Sequence, residues 1–235
     1  MKIIVLSITP YKEKDGIIDA ISEEGDITFT AKGILDPKNK NTAINNVLTT
    51  ADIELQEGNY RYPLLKSIAN VENPMKLDND LDYLSCLLLV AEATKQLLQD
   101  DEKERIFNSL VQTVRAIKKA RQPWANTLIY IATLLKIGGY EFEVNRCVFC
   151  GTKKNIVLFS FNDGGFVCQD CLEPDMVRDL SKEQMLLIRS AFNAKDVDTI
   201  DFICKKEDAL VILNKFFEFI SESFGTTLKS AALIK

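Results

Sequence analysis

Four cysteines constrain this chain more than any other feature. Cys147 and Cys150 form one Cys-x2-Cys pair, Cys168 and Cys171 form a second, and seventeen residues lie between the pairs. Two residues between cysteines let one tight turn aim both sulfurs at a single point, and two such turns complete a tetrahedron around a metal ion. Gly151 follows Cys150 directly, where the turn calls for a residue free to take positive φ and so face backbone amides toward sulfur. Lys153 and Lys154 stand where they partly offset the doubly negative charge of a four-thiolate zinc centre. Between the pairs, Ile156 to Phe161 and Phe166-Val167 read as a hairpin turning at Asp163-Gly164-Gly165. The segment predicts a zinc ribbon with a structural Zn(2+) held by Cys147, Cys150, Cys168 and Cys171. A catalytic zinc needs an open fourth position, and a thioredoxin-like redox pair opens a helix after a strand; neither pattern is present. Cys86 and Cys204 fall on apolar stretches and read as buried fillers.

The chain contains no histidine. That removes the commonest general base and the commonest nitrogen ligand, and with them serine-histidine and cysteine-histidine nucleophile chemistry. No phosphate-cradling Gly-x-x-x-x-Gly-Lys-Ser/Thr loop and no dinucleotide fingerprint occurs. Carboxylates cluster at 78–82 and 100–104. Helix starts favour acids electrostatically, so a magnesium-dependent nuclease is the lesser reading of them. The sequence therefore reads as that of a non-enzyme. Apolar residues make up 46% and charged residues 27%, as in a soluble globular protein. The longest clean apolar run, about Leu128 to Leu135, falls far short of the ~20 residues that span a bilayer. The first ten residues carry too brief an apolar stretch for a signal-peptide core. A cytoplasmic location is expected, with the six cysteines as reduced thiols or metal ligands.

The hydrophobic period changes along the chain. Up to about Val71 it is mostly two: Ile3, Val5 and Ile8, then Ile17 to Ile21, then Ile27 to Ala31, with a hairpin turn at Glu23-Glu24-Gly25-Asp26. Further strands are expected from Asn46 to Gln56 and from Asn59 to Asn70, turning at Glu57-Gly58-Asn59, with room for one helix before the fourth strand. Five short strands in this span suggest a closed OB-type barrel, with an SH3-like barrel as the rival. From Asp78 the period is helical. Asp78 or Asp80 caps a helix through about Leu98 with Leu84, Leu87, Leu88, Ala91 and Leu98 on one side. A second helix runs from Glu102 to Ala120 with Ile106, Leu110, Val114 and Ile117 inward, and a third from Pro123 to Gly138-Gly139. Ser181 with Gln184 reads as a capping box, and a long helix follows from Glu207 to Phe224. The fold class is α+β: an N-terminal five-stranded OB-fold barrel over residues 1–72, a helical domain over 73–145 and 174–235, and an inserted zinc ribbon over 146–173.

Several pieces, in this order, are similar to the RecO family of bacterial recombination mediators. They are Ala31-Lys32-Gly33 before the loop Pro37-Lys38-Asn39-Lys40, then Leu134-Leu135-Lys136-Ile137-Gly138-Gly139-Tyr140 ahead of Cys147-Val148-Phe149-Cys150-Gly151. Gly164 to Cys171 and the ending Leu228-Lys229-Ser230 complete the resemblance. It implies DNA repair by homologous recombination: binding of single- and double-stranded DNA, strand annealing, and loading of the RecA recombinase. The partners it implies are RecR and the single-stranded DNA-binding protein, at the nucleoid. An adaptor of the same fold that acts mainly through protein surfaces is the alternative.

Net charge is −5, so any phosphate contact must come from local charge. Two patches qualify. One is Lys32, Lys38 and Lys40 beside a barrel loop of the kind OB-folds use for single strands, extended by Arg61 and Lys66. The other is Arg115, Lys118, Lys119 and Arg121, of which residues 115, 118 and 119 share a helical face. Each also reads blandly, as solvated turn lysines or as basic residues favoured at a helix C-terminus. Tyr11, Phe29, Tyr60 and Tyr62 are stacking candidates as well as candidate core residues, with Tyr60 and Tyr62 on one parity. Trp124 reads as a helix-packing anchor.

Overall fold

A computed structural model describes residues 1–76, 80–97, 103–119, 122–194 and 204–233. Strands β1 (Lys2–Tyr11), β2 (Asp15–Ser22), β3 (Gly25–Ala31), β4 (Thr50–Gln56) and β5 (Leu64–Glu72) close into a barrel in the order β1-β2-β3-β5-β4. Neighbours are antiparallel except β3 and β5, which meet in parallel through Thr30 and Leu64. This is the expected OB-type barrel. Its interior is filled by Ile3, Val5, Ile18, Ala20, Phe29 and Ile53 and their neighbours, with Ile34 and Ile44 from the β3–β4 connection.

The run Ile3-Ile4-Val5-Leu6 shows little alternation because both of its faces are covered. Ile3 and Val5 point into the barrel, whereas Ile4 and Leu6, with Ile21 of β2, pack among the helices. The register slips between Val5 and Ser7, so Leu6 is the extra residue of a bulge. A second bulge lies on β5: Asn70 takes φ 50°, and its side-chain amide donates to the Asp52 carboxylate at 2.6 Å.

Strands four and five start later than the sequence suggests. Leu48 takes φ 59°, which interrupts the extended run from Asn46, and its N–H donates to the Val5 carbonyl at 2.6 Å. Residues 57–63 form a longer loop, in which the Pro63 carbonyl accepts from Thr30 N–H at 2.9 Å. The helix expected before β4 is a short 3-10 turn, Lys40–Ile44, capped by the Asn39 side chain.

Among the described residues five α-helices follow: α1 (Leu81–Leu97), α2 (Lys103–Lys119), α3 (Pro123–Ile137), α4 (Lys182–Asn193) and α5 (Lys206–Phe224). Helix α3 is apolar on nearly every side and buries Trp124 through Ala132 without a break, so it is the central helix, contacting the other four. Its apolar run serves this role and spans nothing; among the described residues no helix is long and apolar enough to cross a membrane. Trp124 is the expected anchor: its indole N–H donates to Asp82 at 3.3 Å, and Lys206 both pairs with Asp82 and lies over the ring.

Helix α1 is covered more widely than a single stripe, burying Cys86, Leu87, Leu89, Val90, Ala91 and Ala93, because it lies between barrel and α3. Leu88, expected inward, is 37% exposed. Asp80 supplies the cap, accepting from Asp82 N–H at 2.9 Å; Asp78 and Leu98 lie outside the described residues. The α2 face of Ile106, Leu110, Val114 and Ile117 is buried as expected. So is the Ser181–Gln184 capping box formed, and α5 ends at Gly225 with φ 63°.

A polar clasp and a terminal cap tie these layers together. Ser7, Thr28 and Lys95 all donate to the Asp19 carboxylate, joining β1, β2 and β3 to α1. Burial pushes the Asp19 pKa up, but these bonds outweigh it and hold the group below its ordinary value. Near the C-terminus, Glu92 of α1 accepts from the backbone amides of Lys229 (2.8 Å) and Ser230 (2.7 Å) and from the Ser230 hydroxyl. Burial alone would raise the Glu92 pKa, yet these donors hold it below the ordinary 4.5.

A carboxylate with a depressed folded pKa contributes its stability above the unfolded value and loses it as pH falls through the folded value. The variant Glu92→Gln is therefore expected to lower the urea midpoint at neutral pH, with the gap to the parent closing below the ordinary 4.5. Urea titrations of both proteins across acid pH measure this; a gap unchanged in acid would show that the charge of Glu92 contributes nothing.

Candidate metal centre and nucleic-acid surfaces

Strands β6 (Ile156–Ser160) and β7 (Gly165–Cys168) form the expected antiparallel hairpin, and a 3-10 turn, Gln169–Cys171, carries the last cysteine. The sulfurs of Cys147, Cys150, Cys168 and Cys171 all lie within 4.8 Å of one another, with Cys150 and Cys168 3.6 Å apart. Four zinc–sulfur bonds of about 2.3 Å in a tetrahedron put the sulfurs roughly 3.8 Å apart, so the spacing fits such a centre. Gly151 has φ 73° and donates its N–H to the Cys147 carbonyl at 2.9 Å, closing the first knuckle. The Cys168 N–H points at the Cys147 sulfur, 3.4 Å away.

The thiols do not titrate alike. Burial pushes Cys147 up, but amides of Cys150, Cys168 and Phe149 prevail and bring it to about 6. Cys171 is pushed up to about 12, first by its hydrogen bond with Cys150 and then by burial. Four sulfurs this close cannot all ionise on their own, and a divalent cation supplies the charge that lets them. The donor set can hold a metal ion. Cys86 is the buried filler expected, whereas Cys204 is only half-buried; their thiols are pushed up to about 12 and about 11, chiefly by burial.

The hairpin is pinned to the helices by a close backbone contact. Glu143 N–H donates to the Gly164 carbonyl and Phe166 N–H to the Glu143 carbonyl, both at 2.9 Å. Gly165 lies between them with φ 150°, and a Cβ there would sit 2.3 Å from the Glu143 carbonyl oxygen. Beside the contact, Phe142 meets Phe192 of α4 and Phe219 of α5 edge-on, Phe161 meets Phe216 edge-on and stacks on Phe219, and Phe159 packs against Phe142 and Phe161. Sequence reasoning missed this cluster, although Phe159 and Phe161 alternate as a one-faced strand.

The basic residues divide between two places. Lys32, Lys38 and Lys40 are exposed along the β3–β4 connection. The pairs Tyr11 with Asp15, Gly16 with Ala31 and Thr30 with Leu64 set the β1–β2 turn, the start of that connection and loop 57–63 at one mouth of the barrel. Arg61 is there too, its guanidinium 5.2 Å from the Tyr62 ring, with Tyr60 53% and Tyr11 44% exposed. Lys12, with φ 56° and its ammonium 5.2 Å from the Tyr11 ring, joins them unforeseen; the turn Tyr11-Lys12-Glu13-Lys14 was its signal. Lys14 is paired with Asp36 at 2.9 Å, and Lys66 with Glu54 at 3.4 Å. Phe29 is fully buried in the barrel core, so it offers no stacking surface.

The helical patch is elsewhere. Arg115 and Lys118 are exposed on α2, and Arg115 lies 3.5 Å from Glu72, at the end of β5 opposite the mouth. The structure does not bring the two patches together. The side chain of Lys119 and the whole of Arg121 lie outside the described residues.

A family model described as the C-terminal part of recombination protein O matches residues 78–232, from α1 through the cysteine ribbon to the terminal 3-10 turn. The chain belongs to the RecO family. The similarity extends through the barrel. A protein of Halalkalibacterium halodurans named DNA repair protein RecO is 25% identical over 230 residues, covering 97% of this chain and 90% of that one. Proteins of the same name from Bacillus cytotoxicus and Bacillus cereus are 24% and 23% identical over 238 residues, covering 99% of this chain and 94% of theirs.

Part of the acidity of this RecO chain is gathered in one place. A cleft of about 430 Å³ between the β6–β7 turn, the segment after the ribbon and α5 is lined by Asp163, Glu173, Asp175, Asp179, Glu218 and Glu222. Lys215, bonded to Asp179, is its one basic lining residue among the described residues. Taking these six acids and one lysine from the 34 acidic and 29 basic residues of the chain leaves 28 of each. No barrel residue lines the cleft.

The Gly165–Glu143 contact yields a direct test. Gly165→Ala forces backbone atoms apart and is expected to cost roughly 2 kcal/mol or more. Gly164→Ala, with φ 79° but open space around it, is expected to cost about 1 kcal/mol. Chemical denaturation of the two variants measures the difference, and equal costs would show that the close approach carries no strain.

Proposed function

We propose that the chain is a DNA-repair protein of homologous recombination that binds single- and double-stranded DNA, anneals complementary strands and helps load RecA together with RecR. The observation that carries this is the barrel mouth, where Lys12, Lys32 and Arg61 stand with exposed Tyr11 and Tyr60 at the end where β1–β2, β3–β4 and β4–β5 turn. Cations track phosphates while exposed rings stack bases, and no sequence reading is needed for annealing. The names of the relatives support the repair role. The single-stranded DNA-binding protein and RecR are the proposed protein partners, and the cytoplasm, at the nucleoid, the proposed location. No residue is assigned a catalytic role. The units are proposed as a barrel over 1–72, helical parts over 73–145 and 174–235, and a ribbon over 146–173.

The metal is proposed to be Zn(2+), with a structural role only, since Cys147, Cys150, Cys168 and Cys171 would take all four positions. One zinc per chain is expected on elemental analysis of the purified protein. Cys147→Ser should bring that well below one and expose the ribbon to proteolysis; a parent protein free of zinc after purification without chelators would refute the assignment.

An adaptor with little DNA contact is favoured by one observation: Lys14, Lys66 and Arg115 are each already paired with an acid. Charge reversal separates the readings. Lys32→Glu, Lys38→Glu and Lys40→Glu together are expected to weaken single-strand binding at least ~10-fold and to lower the salt slope by about 2. Titrations over a salt series, with RecR binding followed in parallel, check this. Unchanged DNA binding would leave the adaptor reading standing.

A further inference from the structure

The four ribbon cysteines differ in their access to solvent. Cys147 and Cys168 are buried, Cys171 is half-buried and Cys150 is exposed. The local fold sets this order. Val148 N–H donates to the Phe166 carbonyl and Cys147 N–H to the Thr152 carbonyl, both at 2.8 Å, so the first knuckle is pinned at its root. Its tip carries Phe149, 53% exposed, then Cys150, then Gly151, where a Cβ would meet nothing within 4 Å.

Cys168, the last residue of β7, is fully buried, yet its sulfur lies 3.6 Å from that of Cys150. This contact runs between the two Cys-x2-Cys pairs and not within one. A disulfide holds its sulfurs about 2.05 Å apart, so an approach of roughly 1.5 Å would join them. One sulfur is open to a small reagent, and a shielded one stands beside it.

We propose that Cys150 is an oxidation site for small peroxides, and that Cys168 resolves the product into a disulfide across the two knuckles. The Cys150 thiolate attacks one oxygen of hydrogen peroxide; the O–O bond breaks, leaving a sulfenic acid on Cys150 and releasing hydroxide. The Cys168 thiolate then attacks the Cys150 sulfur, the S–O bond breaks, and a second hydroxide leaves. Two thiolates are oxidised to one disulfide, and one peroxide is reduced to two hydroxides. Cys147 and Cys171 alone are half of a four-sulfur donor set, so zinc is released. That release rests on the zinc assignment above, whereas the disulfide needs only the cysteines. The new bond joins the first knuckle to the end of β7, as the metal would. The turn keeps its own fastening from Glu143 to Gly164 and Phe166, so the hairpin stays on the helices.

The test treats the zinc-loaded full chain with substoichiometric hydrogen peroxide beside a chromophoric zinc chelator. Mass-spectrometric peptide mapping is expected to find Cys150–Cys168 as the first disulfide, rising in step with zinc release, and dithiothreitol with added zinc should reverse both. A brief iodoacetamide pulse should label Cys150 ahead of the other three ribbon cysteines. Limited proteolysis should spare the ribbon of the oxidised chain and cut that of the reduced, metal-stripped chain. A first disulfide within either Cys-x2-Cys pair, first labelling at another ribbon cysteine, or equal cleavage of both chains overturns the proposal. A chain that carries no zinc as purified fails the metal assignment, and the mapping still decides the pairing.

Discussion

The outer face of β1 is where the architecture is decided. Ile4 and Leu6 press into the helices while Ile3 and Val5, between them, fill the barrel. One strand therefore contributes to two cores, and burying such side chains contributes roughly 1.5–3 kcal/mol each relative to leaving them in water. Ordinary alternation serves both up to Leu6, and the bulge there changes the parity so that Ile8 packs against the barrel core as well. Helix α1 must then be covered on two sides, which explains its wide apolar surface, and α3 must be apolar all round to fill the middle. The Ser7–Asp19–Lys95 clasp and the Glu92 cap are polar fastenings around this shared face.

The ribbon is held in two independent ways. The cysteines bring its two ends to one point, and the Glu143 strand-like contact with Gly164 and Phe166 ties its turn to the helices. The phenylalanine cluster fills the space between them. A hairpin of nine strand residues has little core of its own, and a single hairpin is marginal in water. Both supports are needed, and they meet on opposite ends of the same two strands.

Much of this was legible in the sequence, and the reasons differ from place to place. The Cys-x2-Cys pairs, the Ser181–Gln184 box and the Pro123 and Gly138 limits of α3 are local signals with local causes, so they were readable. The starts of β4 and β5 were not, because Leu48 and residues 57–63 leave the extended conformation for contacts with Val5 and Thr30, distant in sequence. Leu88 was misplaced because a one-stripe pattern does not describe a helix covered on two sides. For the basic residues, sequence showed which lysines are clustered but not which have acids beside them. Lys14, Lys66 and Arg115 find theirs across the fold.

The uneven placement of acid has an electrical consequence. With six carboxylates against one lysine among the described residues that line one cleft, that flank carries a charge moment of its own. A moment of this kind exerts a torque near any charged surface, because field acts on its distribution and not only its sum. Approaching a polyanion, the molecule would turn the cleft away before any contact forms, and approaching a polycation it would turn the cleft toward it. The same chain can then adhere to ion exchangers of either sign, through different flanks.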